Sequence, residues 1–132
     1  MSMTDPVADM LTKIRNASCS KFSAVDVRAS HLAQRIVDVL KQEGFIRSYK
    51  LMGQSPHQQL RVYLKYAPDK TPAITTIRRV SKPGQRRYGK AHALPRVFGG
   101  LGRIILTTSK GVMTDVEAKR QHLGGELLCY VW

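Results

Sequence analysis

Two prolines, Pro68 and Pro72 in the run Ala67-Pro68-Asp69-Lys70-Thr71-Pro72, divide this chain. Neither can donate a backbone hydrogen bond, and each biases the residue before it away from helix. No helix or central strand therefore runs through the segment, and the hydrophobic pattern changes across it. The 132 residues fit one compact domain or two small lobes in close contact. The reading is an α+β protein, with an α/β lobe over residues 1–66 and a mainly β lobe over residues 67–132.

Before the break, Thr4 or Asp5 can cap a helix whose first turn holds Pro6. Val7, Met10, Leu11 and Ile14 follow at i, i+3, i+4 and i+7, one apolar face, and Arg15 and Asn16 close it. Val25 and Val27 alternate with Asp26 and Arg28 as a short strand. Ser30 can cap a second helix through Leu32, Ile36, Val39 and Leu40, with Gly44 as the stop. Phe45–Leu51 and Leu60–Tyr66 read as a hairpin joined across residues 53–59.

After the break, Ile74–Ile77 with Val80 is a strand. Pro83-Gly84 suits a type II turn, and Arg86–Tyr88 reads as extended. Residues 94–98 read as a helical turn and Gly99–Gly102 as a loop. Arg103–Thr108 is a strand, after which Gly111 begins a turn. Thr114 with Glu117 makes a capping box for a short helix ending near Leu123. After Gly124-Gly125, residues 126–132 form a closing strand.

Charge points to the partner. The net charge is +13. From Lys70 to Thr114, forty-five residues contain no Asp or Glu but ten Lys or Arg. Such self-repulsion is offset by a polyanion, and a soluble domain needs a net charge of only about 2–8. No run approaches the roughly 18 apolar residues of a membrane span, and the first residues lack the pattern of a signal peptide. A strongly basic amphipathic helix, which a membrane-surface protein would need, is also lacking. Cys19 and Cys129 form no CxxC pair, which suits a reducing interior, although one disulfide between them is left open by the sequence.

Enzymatic patterns are weak. The four histidines are scattered, with no zinc-ligand spacing. The phosphate-loop motif is absent, and Gly99, Gly100 and Gly102 lack the third glycine and the helix start of a dinucleotide turn. Ser109 has no base evident in sequence. Asp115 and Glu117 suit a helix N-terminus better than a metal. The reading contains no catalytic residue, cofactor, metal or small-molecule substrate.

Binding patterns are stronger. Thr107, Thr108 and Ser109 place three hydroxyls at a strand end, beside Lys110 and Gly111. They can donate to phosphate, ribose or base edges, or else satisfy turn backbone. Tyr88 can stack an unpaired base, or sit half-buried in a strand. Its neighbours Arg86 and Arg87 are candidate phosphate contacts. Glu126, an acid in a basic half, can accept from an amine or ribose hydroxyl, or form an internal ion pair. A general nucleic-acid-coating protein and a nucleic-acid-processing enzyme are the rival classes.

Several runs then resemble one family in order and spacing: residues 4–17, Arg79-Val80-Ser81-Lys82-Pro83-Gly84, Leu94-Pro95-Arg96-Val97, residues 107–115 and residues 124–132. The chain is similar throughout to protein eight of the bacterial small ribosomal subunit. The resemblance implies two helices on a three-stranded sheet, packed against a mainly β lobe with a short helix. It implies a cytoplasmic ribosomal protein, an organellar ribosome being the other setting, that contacts neighbouring ribosomal proteins. It also implies primary binding to an irregular helix in the central domain of small-subunit rRNA, early in assembly. The RNA contact would fall on Tyr88, Thr107, Thr108, Ser109, Lys110, Gly111, Gly125 and Glu126. First-lobe contacts would fall on Thr4, Arg15, Asn16, Ser30 and His31. Members in some bacteria also repress their own messenger RNA. Four positions depart from the pattern: His31 for a lysine, Gln85 and Arg103 for apolar residues, and Thr107 for a serine.

Overall fold

A computed structural model describes residues 5–97 and 100–132. Helix α1 (Pro6–Cys19) is capped by Asp5, whose Oδ1 accepts from the Ala8 N–H at 3.2 Å. Val7, Met10, Leu11, Ile14 and Ala17 bury one stripe, and the helix runs on past Asn16 because Ala17 and Ser18 continue that buried face. Strand β1 (Ala24–Arg28) leads to α2 (His31–Gln42), capped by Ser30 Oγ accepting from the Ala33 N–H at 3.0 Å. Strands β2 (Ile46–Met52) and β3 (Gln59–Leu64) complete a three-stranded antiparallel sheet in the order β1-β3-β2. Val27, Leu60 and Val62 are buried in the same core as the helices.

The second sheet contains β4 (Ile77–Arg79), β5 (Tyr88–Gly89), β6 (Arg103–Thr108), β7 (Gly111–Thr114) and β8 (Gly125–Val131), with helix α3 (Asp115–Arg120) between β7 and β8. Its order is β4-β8-β6-β7, with β5 paired to β8. The fold is thus α+β, as expected. Alternation along β6 splits its side chains between two cores. Ile105 joins the main cluster built on α1 and α2, along with Ile77, Leu128 and Val131. Ile104 and Leu106 join a smaller cluster with Ala118 and Leu127. Each such side chain contributes about 1.5–3 kcal/mol on burial, so the main cluster holds both sheets in one core.

Three arginines tie the second sheet to the helices. Arg15 Nη1 donates to the Ile77 carbonyl at 2.8 Å. Arg79, only 9% exposed, pairs with Asp5 at 3.2 Å and donates to the Leu128 carbonyl at 2.8 Å. Arg103 pairs with Glu43 at 3.0 Å and donates to the Gly100 and Gly102 carbonyls. That triple engagement accounts for an arginine at a position where the resemblance has an apolar residue.

The structure corrects several local expectations. The turn at Pro83-Gly84 exists, with Lys82 and Gln85 bridged, but Gly84 is not in the left-handed region a type II turn requires. The helical turn lies at Ala91–Ala93, not over residues 94–98; residues 94–96 are irregular and Phe98 lies outside the described residues. The strand expected from Ile74 starts at Ile77, since Thr75 and Thr76 instead donate to the Trp132 carbonyl. Gly111 opens strand β7 rather than a turn alone. The capping box at α3 is half formed: Thr114 accepts from the Glu117 N–H, but the Glu117 carboxylate turns to Arg120 and Gln121. Both cysteines are free; Cys19 is exposed, and burial pushes the Cys129 thiol up to about 12. Among the described residues, no helix is long and apolar enough to cross a membrane.

Candidate nucleic-acid interface

Strands β6 and β7 meet in a tight hairpin in which Thr108 pairs with Gly111, leaving Ser109 and Lys110 at its tip. Gly111 has φ +112°, which favours glycine. Thr108 Oγ1 donates to the Gly111 carbonyl at 2.9 Å and accepts from the Lys110 N–H at 3.1 Å. Its hydroxyl is therefore consumed by the turn, the backbone-satisfying role that the residue pattern left open. Ser109 and Lys110 are exposed, and among the described residues neither side chain has an intramolecular partner.

Beside the hairpin a cross-strand row forms. Tyr88 on β5 pairs with Glu126 on β8, Glu126 pairs with Thr107 on β6, and Thr107 pairs with Val112 on β7. Directly paired residues project from the same face of a sheet. Register thus brings Tyr88, Glu126 and Thr107 together, although 38 residues separate Tyr88 from Glu126 in sequence. Tyr88 is 70% exposed, so it is not a half-buried strand tyrosine.

Glu126 has a partner. Arg86 Nη1 donates to its Oε2 at 3.0 Å, with the Arg86 side chain 46% exposed and the Glu126 side chain 19%. This is the internal ion pair that the sequence left open. Ser81 holds the preceding segment in place. It is fully buried, and its hydroxyl accepts from the Arg87 N–H at 2.7 Å. The Arg87 carbonyl accepts from the Leu127 N–H, while the Arg87 side chain stays exposed.

Arg86 also reaches a cleft of about 540 Å3 between the two sheets. The cleft is lined by the N-terminal ends of α1 and α2, by Arg28 and Arg79, and by Pro83. Helix N-termini and guanidiniums both favour anions, while Asp5 on the same wall neutralises Arg79 and leaves Arg28 and Arg86 as the available charges. Ser30 lies on this cleft, its oxygen already accepting as the α2 cap.

The remaining first-lobe candidates are not gathered there. His31 borders a separate depression with Gln34, Arg35, Asp38 and Tyr49. Arg15 is committed to the Ile77 carbonyl. Asn16 is exposed near the end of α1, and Thr4 lies outside the described residues. Sequence reasoning missed Arg28, Arg79 and Ser81. Arg79 and Ser81 fall in a run that carried the resemblance, but nothing local marks a buried serine as the support of a loop. Among the described residues, no group of three or more His, Cys, Asp or Glu is placed to hold a metal ion.

A family model described as ribosomal protein S8 matches residues 5–132. Relatives named small ribosomal subunit protein uS8 are similar over the full length of both chains. They are 51% identical in Shouchella clausii, 53% in Chloroflexus aurantiacus and 52% in Anaeromyxobacter sp. strain K.

Proposed function

The chain belongs to the ribosomal protein S8 family, a structural and non-enzymatic one, and from that membership we propose how it acts. It is a constituent of the small ribosomal subunit in the cytoplasm. It binds small-subunit rRNA as a primary binder, on an irregular helix of the central domain, early in assembly. Neighbouring ribosomal proteins then share its surface. A messenger RNA helix of like shape would fit the same surface, and repression of its own message would work that way.

One observation carries this reading: an exposed tyrosine, a carboxylate and a threonine stand in register beside an open Ser109-Lys110 tip. Tyr88 offers a stacking face for an unpaired base. Ser109 and the tip backbone reach ribose or base edges, while Lys110, Arg86 and Arg87 hold phosphates. Thr107, Gly111 and Gly125 set the strand geometry beneath them, and Thr108 locks the tip. Such a surface needs a splayed base and a bent backbone, which an irregular helix provides and a plain duplex does not. The second lobe, residues 67–132, supplies most of this contact; the cleft end of the first lobe, near Ser30, adds to it. Asn16 and His31 belong to a wider first-lobe margin.

Footprinting the purified protein on small-subunit rRNA tests the proposal. Protection is expected on one irregular helix of the central domain. Protection spread evenly over many duplexes would instead favour a general coating protein.

A further inference from the structure

Glu126 is an acid at the centre of a surface that should welcome a polyanion, and a bare carboxylate there would repel phosphate. We infer that Glu126 is a positioning residue, which aims the Arg86 guanidinium at an RNA phosphate in the cleft between the sheets. The inference rests on the RNA-binding reading above and deepens it.

The carboxylate is suited to hold a partner still. Its strand is paired on both sides at that residue, to Tyr88 and to Thr107. Its side chain is mostly covered. Arg86 is the opposite: it lies in an irregular segment between the Pro83-Gly84 turn and β5, with nearly half its side chain exposed. A free arginine on such a segment would lose rotamer freedom on meeting phosphate. Tethering one nitrogen beforehand removes part of that cost. A guanidinium carries five N–H groups in a fixed fork. Glu126 takes a single contact, through Nη1, so the rest of the fork can meet a phosphate. Of the other two cleft arginines, Arg79 is already committed to Asp5 and to the Leu128 carbonyl. Arg86 and Arg28 are therefore the cations with capacity to spare.

Electrostatics alone makes the opposite forecast. Removing a negative charge should tighten every RNA complex. The test therefore compares a transcript of the irregular central-domain helix with a plain RNA duplex, using wild type, Glu126→Gln, Arg86→Gln and the double variant. Glu126→Gln should weaken the irregular helix about tenfold while leaving the duplex unchanged or slightly tighter. In the Arg86→Gln background the same change should cost less than about twofold, because coupled residues are not additive. Arg86→Lys should fail to restore binding, since an ammonium has no fork. Equal losses from Glu126→Gln in both backgrounds would show that the carboxylate acts on its own, and the inference would fall while the binding reading stood. A wild type with no preference for the irregular helix would end both. Thermal melts of each variant identify any loss that comes from unfolding.

Discussion

A β-carbon built on Gly125 would lie 1.9 Å from the carbonyl oxygen of Thr107. Backbone meets backbone there, so no rotamer change relieves the clash. Gly125→Ala must push β8 away from β6 and shift Glu126 out of line with Thr107. Overpacking of this kind costs about 1–3 kcal/mol, and a urea melt should show that loss. Gly84 is the contrast: a β-carbon there would meet nothing within 4 Å, and its backbone is not left-handed. Gly84→Ala should stay within about 0.5 kcal/mol of wild type, with gain the more natural direction because the unfolded chain loses freedom.

The neighbouring hydroxyls Thr108 and Ser109 should separate stability from recognition. Thr108 Oγ1 closes the hairpin through two hydrogen bonds, so Thr108→Ala should cost about 1 kcal/mol of stability, and Thr108→Ser should recover most of it. Ser109 has no such duty. Ser109→Ala should leave the melt unchanged and, on the proposed function, weaken the irregular RNA helix by about 1–3 kcal/mol with little effect on a plain duplex. Binding titrations on both RNAs decide the point; equal weakening on both would remove Ser109 from any reading role.

Arg79 joins α1 to the second sheet. It is nearly buried, pairs with the α1 cap Asp5, and satisfies the Leu128 carbonyl. Arg79→Ala leaves Asp5 Oδ2 without its cation and takes one of two donors from the Leu128 carbonyl, which keeps the Val80 N–H. Breaking such a pair costs about 3–5 kcal/mol when fully buried. A loss of about 3 kcal/mol in chemical denaturation is expected, with one cooperative transition, because the main core spans both sheets. A separate early transition confined to α1 would contradict that shared core.

How much of this is legible in the sequence depends on whether the signal is local. Asp5, Ser30 and Thr114 are readable as caps because a cap needs only its own turn. Strand β6 is readable from its apolar run. Gly84 misleads because proline before glycine permits two turn types and the surroundings choose between them. The 3-10 turn at Ala91–Ala93 escapes because three small or polar residues leave no periodicity. The site divides in the same way. Ser109 and Lys110 stand out in a short motif, and the resemblance picks out Gly125. The alignment of Tyr88, Glu126 and Thr107 depends on register between strands far apart in sequence, and so does the Arg86–Glu126 pair. Register is a tertiary outcome that no local pattern carries.

Glu117 gives a pH signature that can be read apart from RNA. Arg120, and then Gln121, donate to its carboxylate and pull its pKa from 4.5 down to about 2. A carboxyl depressed in the folded state stabilises it above the unfolded value, and that contribution fades as pH falls from about 4.5 through about 2. The group is exposed, so the global effect is small and the local one is what to measure. Carboxyl-resolved NMR should place the Glu117 midpoint near 2 in wild type. Arg120→Gln should bring it back toward 4.5, while Thr114 still caps α3. A wild-type midpoint already near 4.5 would mean that the Arg120 contact does not persist in solution. The half-formed capping box would then be free to close, with Glu117 reaching back to the Thr114 N–H.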